Sequence, residues 1–357
     1  MINSSDVNTI GTDIFRIISI AFVMMATVLF WGCRSTEMSA LEELDRGYYQ
    51  NHALSLHVRN QVKNSFDAVR RIHSSIIYRT YQISENGVEL PTQSAIRHLD
   101  LEQISSNITV DTHTSAGTAV VVSIVNRRAL MLTAAHVVSY PDTVFHFTGD
   151  KNWQGESTVY AVSVTQSKSQ FVFTDKGIES IEILASDSRR DLALMSTLSD
   201  ISDTDLKNLT IPIGDPNRLD WTDVVYAVGY PRGVQMVTRG IASISDHPIR
   251  RITVDLSMNR GFSGGPLFAI RNDGSGLEWV GTVTSALGER EVYLSPESLP
   301  NDEYSSTIPY EGALYVKNSP RIFYGITNAV GLNEAQDFFD ENRGIFRSKG
   351  FSINPFR

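Results

Sequence analysis

At 357 residues the chain is long enough for about two folding units, and its 41% apolar and 20% charged composition marks a folded globular protein, not a disordered one. Asp and Glu number 40 against 31 Lys and Arg, a net charge of −9, which lacks the basic face that nucleic acid demands, so no nucleic-acid partner is expected. The single cysteine, Cys33, excludes an intramolecular disulfide and any zinc site built from several thiolates.

Residues 17–32 (IISIAFVMMATVLFWG) are apolar except for Ser19 and Thr27, and Arg16 precedes them. The run is short for a spanning helix, which needs about 20 residues, and long for a signal-peptide core. Being apolar on every face and close to the terminus, it reads as membrane targeting. Gly32-Cys33 at its end resembles the processing site of bacterial lipoproteins, whose cysteine is lipidated, although Phe30 and Trp31 are bulkier than that motif prefers. Lipidation at Cys33, an uncleaved anchor and a cleaved signal stay open for the segment 1–33, and all three export the rest of the chain.

Between 37 and 82 there is no proline, and apolar residues recur at Leu54, Val58, Val62, Phe66, Val69, Ile72 and Ile76. Spacings of three and four predict an amphipathic helix, so residues 34–103 are expected to form a helical stalk and linker. Such a helix either packs on its own domain or assembles a homo-oligomer. His57, His73 and His98 are scattered without metal-ligand spacing, and Asp302 and Glu303 sit in a polar run; no metal and no cofactor is expected.

From about 104 onward short β-type runs follow one another at 118–125, 129–133, 158–164, 181–184, 224–228, 252–256 and 279–283, separated by turn residues. This is the texture of a β-barrel or sandwich. The polar stretch 199–208 is a candidate link between two halves. Within this region LTAAHVV (132–138) sets His136 after small residues at the end of an apolar run. DSRRDLAL (187–194) sets Asp191 at the start of another, and GFSGGP (261–266) sets Ser263 among glycines. Acyl transfer from a serine needs an exposed hydroxyl and backbone N–H donors for the oxyanion; glycines on both sides let the chain bend without side-chain obstruction. The donors would be the amides of Gly261 and Ser263.

The order His, Asp, Ser discriminates between folds. Gly261-x-Ser263-x-Gly265 formally matches the nucleophile elbow of α/β-hydrolases, but those need their histidine after the serine, and the last histidine here is His247. The subtilisin order puts aspartate first and would come with alternating helices. The chymotrypsin order fits.

With these segments in place, the sequence resembles the trypsin-like serine proteases, and among them the HtrA (Deg) family. The resemblance runs from about 115 to 344: SAGTAV (115–120) is similar to the family's opening strand, 213–244 to the first strands of its second barrel, and VDLSMNR (254–260) to its lead-in to the serine. GTVTS (281–285) resembles its substrate-pairing strand and 323–341 its closing strand and C-terminal helix. It implies an all-β fold of two barrels, the first over 104–200, the second over 201–345 with a short C-terminal helix, and a tail at 346–357. It implies a Ser-His-Asp triad: Ser263 as nucleophile, His136 as general base, and Asp191, with its following Leu192-Ala193-Leu194, rather than Asp187, as the residue that orients the histidine. Substrate contacts would come from Ser257, Met258, Thr282, Val283, Thr284 and Ser285.

The sequence departs from the family in four places. Phe262 stands where HtrA members usually have asparagine. The interval from His136 to Asp191 is long, so an added hairpin is expected between 140 and 177. A polar insertion lies between 289 and 312, placed to cover or flank the site. The helix ends near Asn342, leaving about 15 residues where a PDZ domain would follow. Ser257, six residues before the nucleophile, carries no charge to hold Lys or Arg, so small or medium apolar side chains of extended or unfolded protein or peptide substrates are expected. The function implied is an exported, membrane-tethered serine endopeptidase on the periplasmic side of a bacterial envelope. The alternative is a catalytically silent protease fold used for binding.

Overall fold

A computed structural model describes residues 55–83, 90–151, 155–201, 206–243, 251–296 and 312–357; for 150–151, 285–290 and 318–324 only the backbone is described. The targeting segment 17–32 and Cys33 lie outside these residues. Among the described residues no helix is long and apolar enough to cross a membrane.

The first helix, α1 (Leu56–Ser65), is capped by Ser55, whose hydroxyl accepts from the amide of Val58, and buries Val58 and Val62. It stops at Ser65. The expected helix therefore does not continue, and residues Val69–Ile83 form strand β1 instead. Ile72 and Ile76, four apart, satisfy a helical and a strand period equally. The burial of Ile72, Ser74, Ile76, Tyr78 and Thr80 alternates with a period of two, as suits a segment rich in β-branched and aromatic residues. Two short turns of helix, α2 (Gln93–Ile96) and α3 (Leu101–Ile104), lead into β2 (Ser105–Val125).

β1 pairs with β2 over its whole length. The first barrel continues through β3 (Arg128–Thr133), the short helix α4 (Ala135–Val138), β4 (Thr143–Lys151), β5 (Ser157–Thr174), β6 (Gly177–Asp187) and β7 (Leu192–Thr197). The sheet order is β1-β2-β3-β7-β6-β5-β4, and a further β1–β5 pairing closes a ring of strands with β4 on its flank. The barrel thus begins at Val69, not at 104, and its first strand, β1, falls within the residues expected to be stalk. The hairpin expected between 140 and 177 is β4–β5. Ile72, Val121, Met131, Val137 and Met195 fill the core together with Ile201 and Leu206, so both described ends of the expected 199–208 linker are anchored in the first barrel.

The second barrel is closed in the order β10-β13-β12-β11-β8-β9, from β8 (Val224–Gly229), β9 (Met236–Ser243), β10 (Arg251–Val254), β11 (Pro266–Ile270), β12 (Leu277–Pro296) and β13 (Leu314–Gly331). Leu219, Val225, Leu256, Met258, Phe262 and Val283 are in its core. β12 and β13 run on as a two-stranded ribbon as far as the pair Pro296–Leu314. Val292, Tyr293 and Leu294 face solvent on one strand and Leu314, Tyr315 and Val316 on the other. These are the flanks of the expected polar insertion, whose middle, 297–311, lies outside the described residues.

Two helices close the chain, α5 (Leu332–Glu341) and α6 (Arg343–Ser348). Residues 346–357 are not a loose tail. Phe346, Phe351 and Phe356 are buried, the Phe346 ring stacks on Phe339 and Phe356 meets Trp279, and Asn354 donates to Asp340 at 3.0 Å.

Candidate active site

β3 is buried from Ala129 to Thr133, and the small residues Ala134 and Ala135 let the chain turn directly into α4. That helix buries Val137 and Val138 in the first core and leaves the His136 side chain half exposed. On the neighbouring strand, Asp191 takes a left-handed backbone (φ 58°) just before β7. Its carboxylate faces the imidazole with both oxygens: His136 Nδ1 lies 2.9 Å from Oδ2 and 3.1 Å from Oδ1, and the His136 amide donates to Oδ1 at 2.9 Å. The amide of Ala135 donates to Asp191 O. A carboxylate on Nδ1 selects the tautomer with its proton there and turns the lone pair of Nε2 outward.

Asp187, the rejected candidate, faces Arg190 instead, with Oδ2 at 2.8 Å from Nη1. Burial pushes its carboxyl up, but the amides of Arg190 and Arg189 and the Arg190 guanidinium outweigh that and hold it below the usual range.

The serine turn hangs between the barrels. Gly261 (φ 110°) and Gly264 (φ 89°) are left-handed, and a Cβ on either would lie 2.4 Å from Tyr230 O or 2.0 Å from Thr118 O, so both positions require glycine. Within the turn Phe262 donates its amide to Asn259 O, Gly264 to Val283 O and Gly265 to Phe262 O. Among the described residues the amides of Gly261 and Ser263 have no protein acceptor. Two free donors flanking a serine hydroxyl are the arrangement an oxyanion needs.

The carbonyls of this turn are fixed from the first barrel. Thr118 on β2 donates its amide to Ser263 O at 2.8 Å and its hydroxyl to Gly261 O at 2.6 Å, while accepting from the amide of Tyr230 at 3.0 Å. Thr118 is fully buried. Sequence reading placed it on the opening strand without a role; a hydroxyl next to Gly117 was the available signal. The Ser263 hydroxyl donates to Thr284 O at 3.1 Å and not to His136. Phe262, which stands where the family usually has asparagine, points into the second core and is fully buried.

The expected substrate contacts divide. Ser257 is exposed. Met258 is corrected: at 4% exposure it belongs to the second core. Thr282 and Val283 are corrected too, because both are buried and both strand edges are already used. Thr282 lies between Pro266 and Val330, while Val283 exchanges hydrogen bonds with Gly264 and Gly265 and pairs with Ala329. Among the described residues Thr284 is the first of β12 without a partner on the β11 side, although its carbonyl accepts from the Ser263 hydroxyl; its own side chain is buried and donates to Asn328 O, and the side chain of Ser285 lies outside the described ones. Among the described residues no cluster of His, Cys, Asp and Glu has the makings of a metal site.

A sequence model of the trypsin-like peptidase domain family matches residues 117–276. Two curated relatives, each a probable periplasmic serine endoprotease DegP-like from Pseudomonas putida (strains F1 and W619), are 32% identical over 112 residues, 29% of this chain. The match spans 22% of each relative's length. A solved HtrA-type protease, AlgW with decapeptide, aligns at a TM-score of 0.43 and 18% identity, covering 83% of this chain and 68% of its own. Residues 117–276 thus match the trypsin-like peptidase domain, and part of the chain is similar to DegP-like serine endoproteases.

Proposed function

We propose that the protein is a serine endopeptidase that hydrolyses extended or unfolded protein and peptide substrates through Ser263, His136 and Asp191. The observation that carries this reading is the serine turn, in which the amides of Gly261 and Ser263 stay free while those of Phe262, Gly264 and Gly265 are bonded. The hydroxyl of Ser263 turns from Thr284 O to His136 Nε2, gives up its proton there and forms a C–O bond to the substrate carbonyl. The oxyanion is taken by the two free amides. The C–N bond then breaks as Nε2 returns the proton to the leaving amine, and water repeats the sequence to release the acyl group. Asp191 keeps the ring in its tautomer and stabilises the imidazolium. The substrate chain pairs with the β12 edge from Thr284 onward, and the uncharged Ser257 goes with apolar side chains at the cleavage site.

The same reading places the domain on the periplasmic side of a bacterial envelope, held at a membrane by 17–32 or by a lipid on Cys33. The periplasmic assignment of the relatives supports it. Incorporation of labelled palmitate that disappears in Cys33→Ser would distinguish the lipid from the anchor.

The decisive test incubates the full-length protein and its Ser263→Ala variant with a fluorophosphonate probe and with casein. Labelling and cleavage by the first and neither by the second support the reading. The second reading, a silent protease fold that binds without cutting, is favoured by the Ser263–Thr284 hydrogen bond; a chain unreactive toward the probe while still binding casein would establish it.

A further inference from the structure

The turn that delivers Asp191 is held by an ion cluster that neither the triad nor the family resemblance uses. Arg190, the residue immediately before Asp191, is almost entirely buried, with 9% of its side chain exposed, and its guanidinium serves three carboxylates at once. Nε donates to Glu334 Oε2 at 2.9 Å, Nη1 to Asp187 Oδ2 at 2.8 Å and to Glu341 Oε2 at 2.7 Å, and Nη2 to Glu341 Oε1 at 2.5 Å. Asp187 completes the turn from within: its Oδ1 accepts from the amides of Arg189 and Arg190. From the second barrel, Arg251 donates to Arg189 O at 3.2 Å.

The two glutamates belong to α5, the helix that follows the last strand of the second barrel. Asp191 itself sits in a left-handed backbone that a residue with a side chain adopts only under constraint. The side chain of Arg190 thus ties the strained turn of one barrel to a helix of the other, with a planar fork that fixes direction as well as distance. A misplacement of about 1 Å at such a site is enough to cost up to roughly 100-fold in rate.

We infer that Arg190 is a positioning residue: its clamp on Glu334 and Glu341 sets where the Asp191 carboxylate meets His136, and through it the C-terminal helix governs the acid–imidazole contact. The inference rests on the functional reading given above, but one of its readouts does not depend on turnover.

The experiment compares the full-length protein with Arg190→Gln and Arg190→Lys. The first readout is the low-field proton resonance of His136 Nδ1–H, present only while that proton is held by Asp191 and protected from exchange. The second is kcat and KM per active site, titrated with the fluorophosphonate probe. Arg190→Gln is expected to broaden the resonance by exchange and to lower kcat about 10- to 100-fold with KM little changed; Arg190→Lys restores part of both. An unchanged resonance and unchanged kcat per titrated site, with a lowered unfolding temperature only, would overturn the inference and leave Arg190 as a structural tie. Should Arg190→Gln not fold, Glu334→Gln combined with Glu341→Gln leaves the Asp187 contact in place and must still broaden the resonance; if it does not, the inference is lost. A native protein that shows the resonance but does not hydrolyse substrate refutes the hydrolase reading, while the Arg190 variants still decide the positioning role.

Discussion

The hydroxyl of Thr118 and the carbonyl of Gly261, 143 residues apart in sequence, meet at 2.6 Å across the seam between the two barrels. The contact fixes the peptide plane on the far side of Gly261 from its free amide, so a residue of the first barrel holds in place the turn that carries Ser263 in the second. Thr118→Val keeps the shape but leaves Gly261 O and the amide of Tyr230 unpaired in a buried place. It is expected to cost about 1–3 kcal/mol of stability. Its effect on kcat should be larger than stability explains, up to the roughly 100-fold range of a lost oxyanion donor. Thr118→Ser, which keeps the hydroxyl, should recover most of the rate. Kinetics per titrated active site check this, and equal rates for the Val and Ser variants would refute it.

Phe262 lies beside the nucleophile yet serves the core. Truncating it to alanine removes a fully buried ring from among Val225, Leu256 and Leu267, with an expected loss of about 3–5 kcal/mol. Phe262→Asn, the residue usual in HtrA members, would set an amide in that apolar pocket and should be no less destabilising. A urea midpoint for Phe262→Asn at or above that of the native protein would show that the side chain is not core in solution.

The placement of His136 and Asp191 was legible because each sits in a short linear pattern whose neighbours dictate it: Val137 and Val138 must be buried, so His136 is turned out, and Leu192-Ala193-Leu194 must enter the barrel, so Asp191 begins it. The two barrels followed from the resemblance rather than from periodicity. What failed was β1, where Ile72 and Ile76 fit two periods and an absence of proline favoured the wrong one. Met258 and Val283 were misread because a segment can touch the site with its backbone while its side chains fill the core. Arg190 could not be read at all, since its partners Glu334 and Glu341 stand 144 and 151 residues away and no local pattern announces such a pairing.

The final residues show the same limit, because Phe346, Phe351 and Phe356 looked like an appendage and are buried. Phe346→Ala removes the ring stacked 4.6 Å from that of Phe339 and is expected to destabilise by about 3–5 kcal/mol. Phe356→Ala should also alter the fluorescence of Trp279, whose ring centre lies 5.9 Å from its own. Thermal unfolding indistinguishable from the native protein in both variants would mean that this segment does not stay docked.

Acid should release that segment in a defined window. The Arg343 guanidinium, opposed by partial burial and joined by Asn354 and Arg357, draws the Asp340 carboxyl down to about 2. An unfolded aspartate titrates near ~3.9. Because the folded value is the lower one, the stability linked to Asp340 is fully present above about 4 and is lost as pH falls through about 2. Glu182 and Glu341 are lowered as well, by Lys349 and by Arg190 respectively, so the contacts of α5 and α6 with the first barrel weaken in the same direction. The gap in urea midpoint between the native protein and Asp340→Asn should be constant from neutral pH to about 5 and close between about 4 and 2. A gap that does not narrow over that interval would show that the ionised carboxylate contributes nothing to holding the chain end in place.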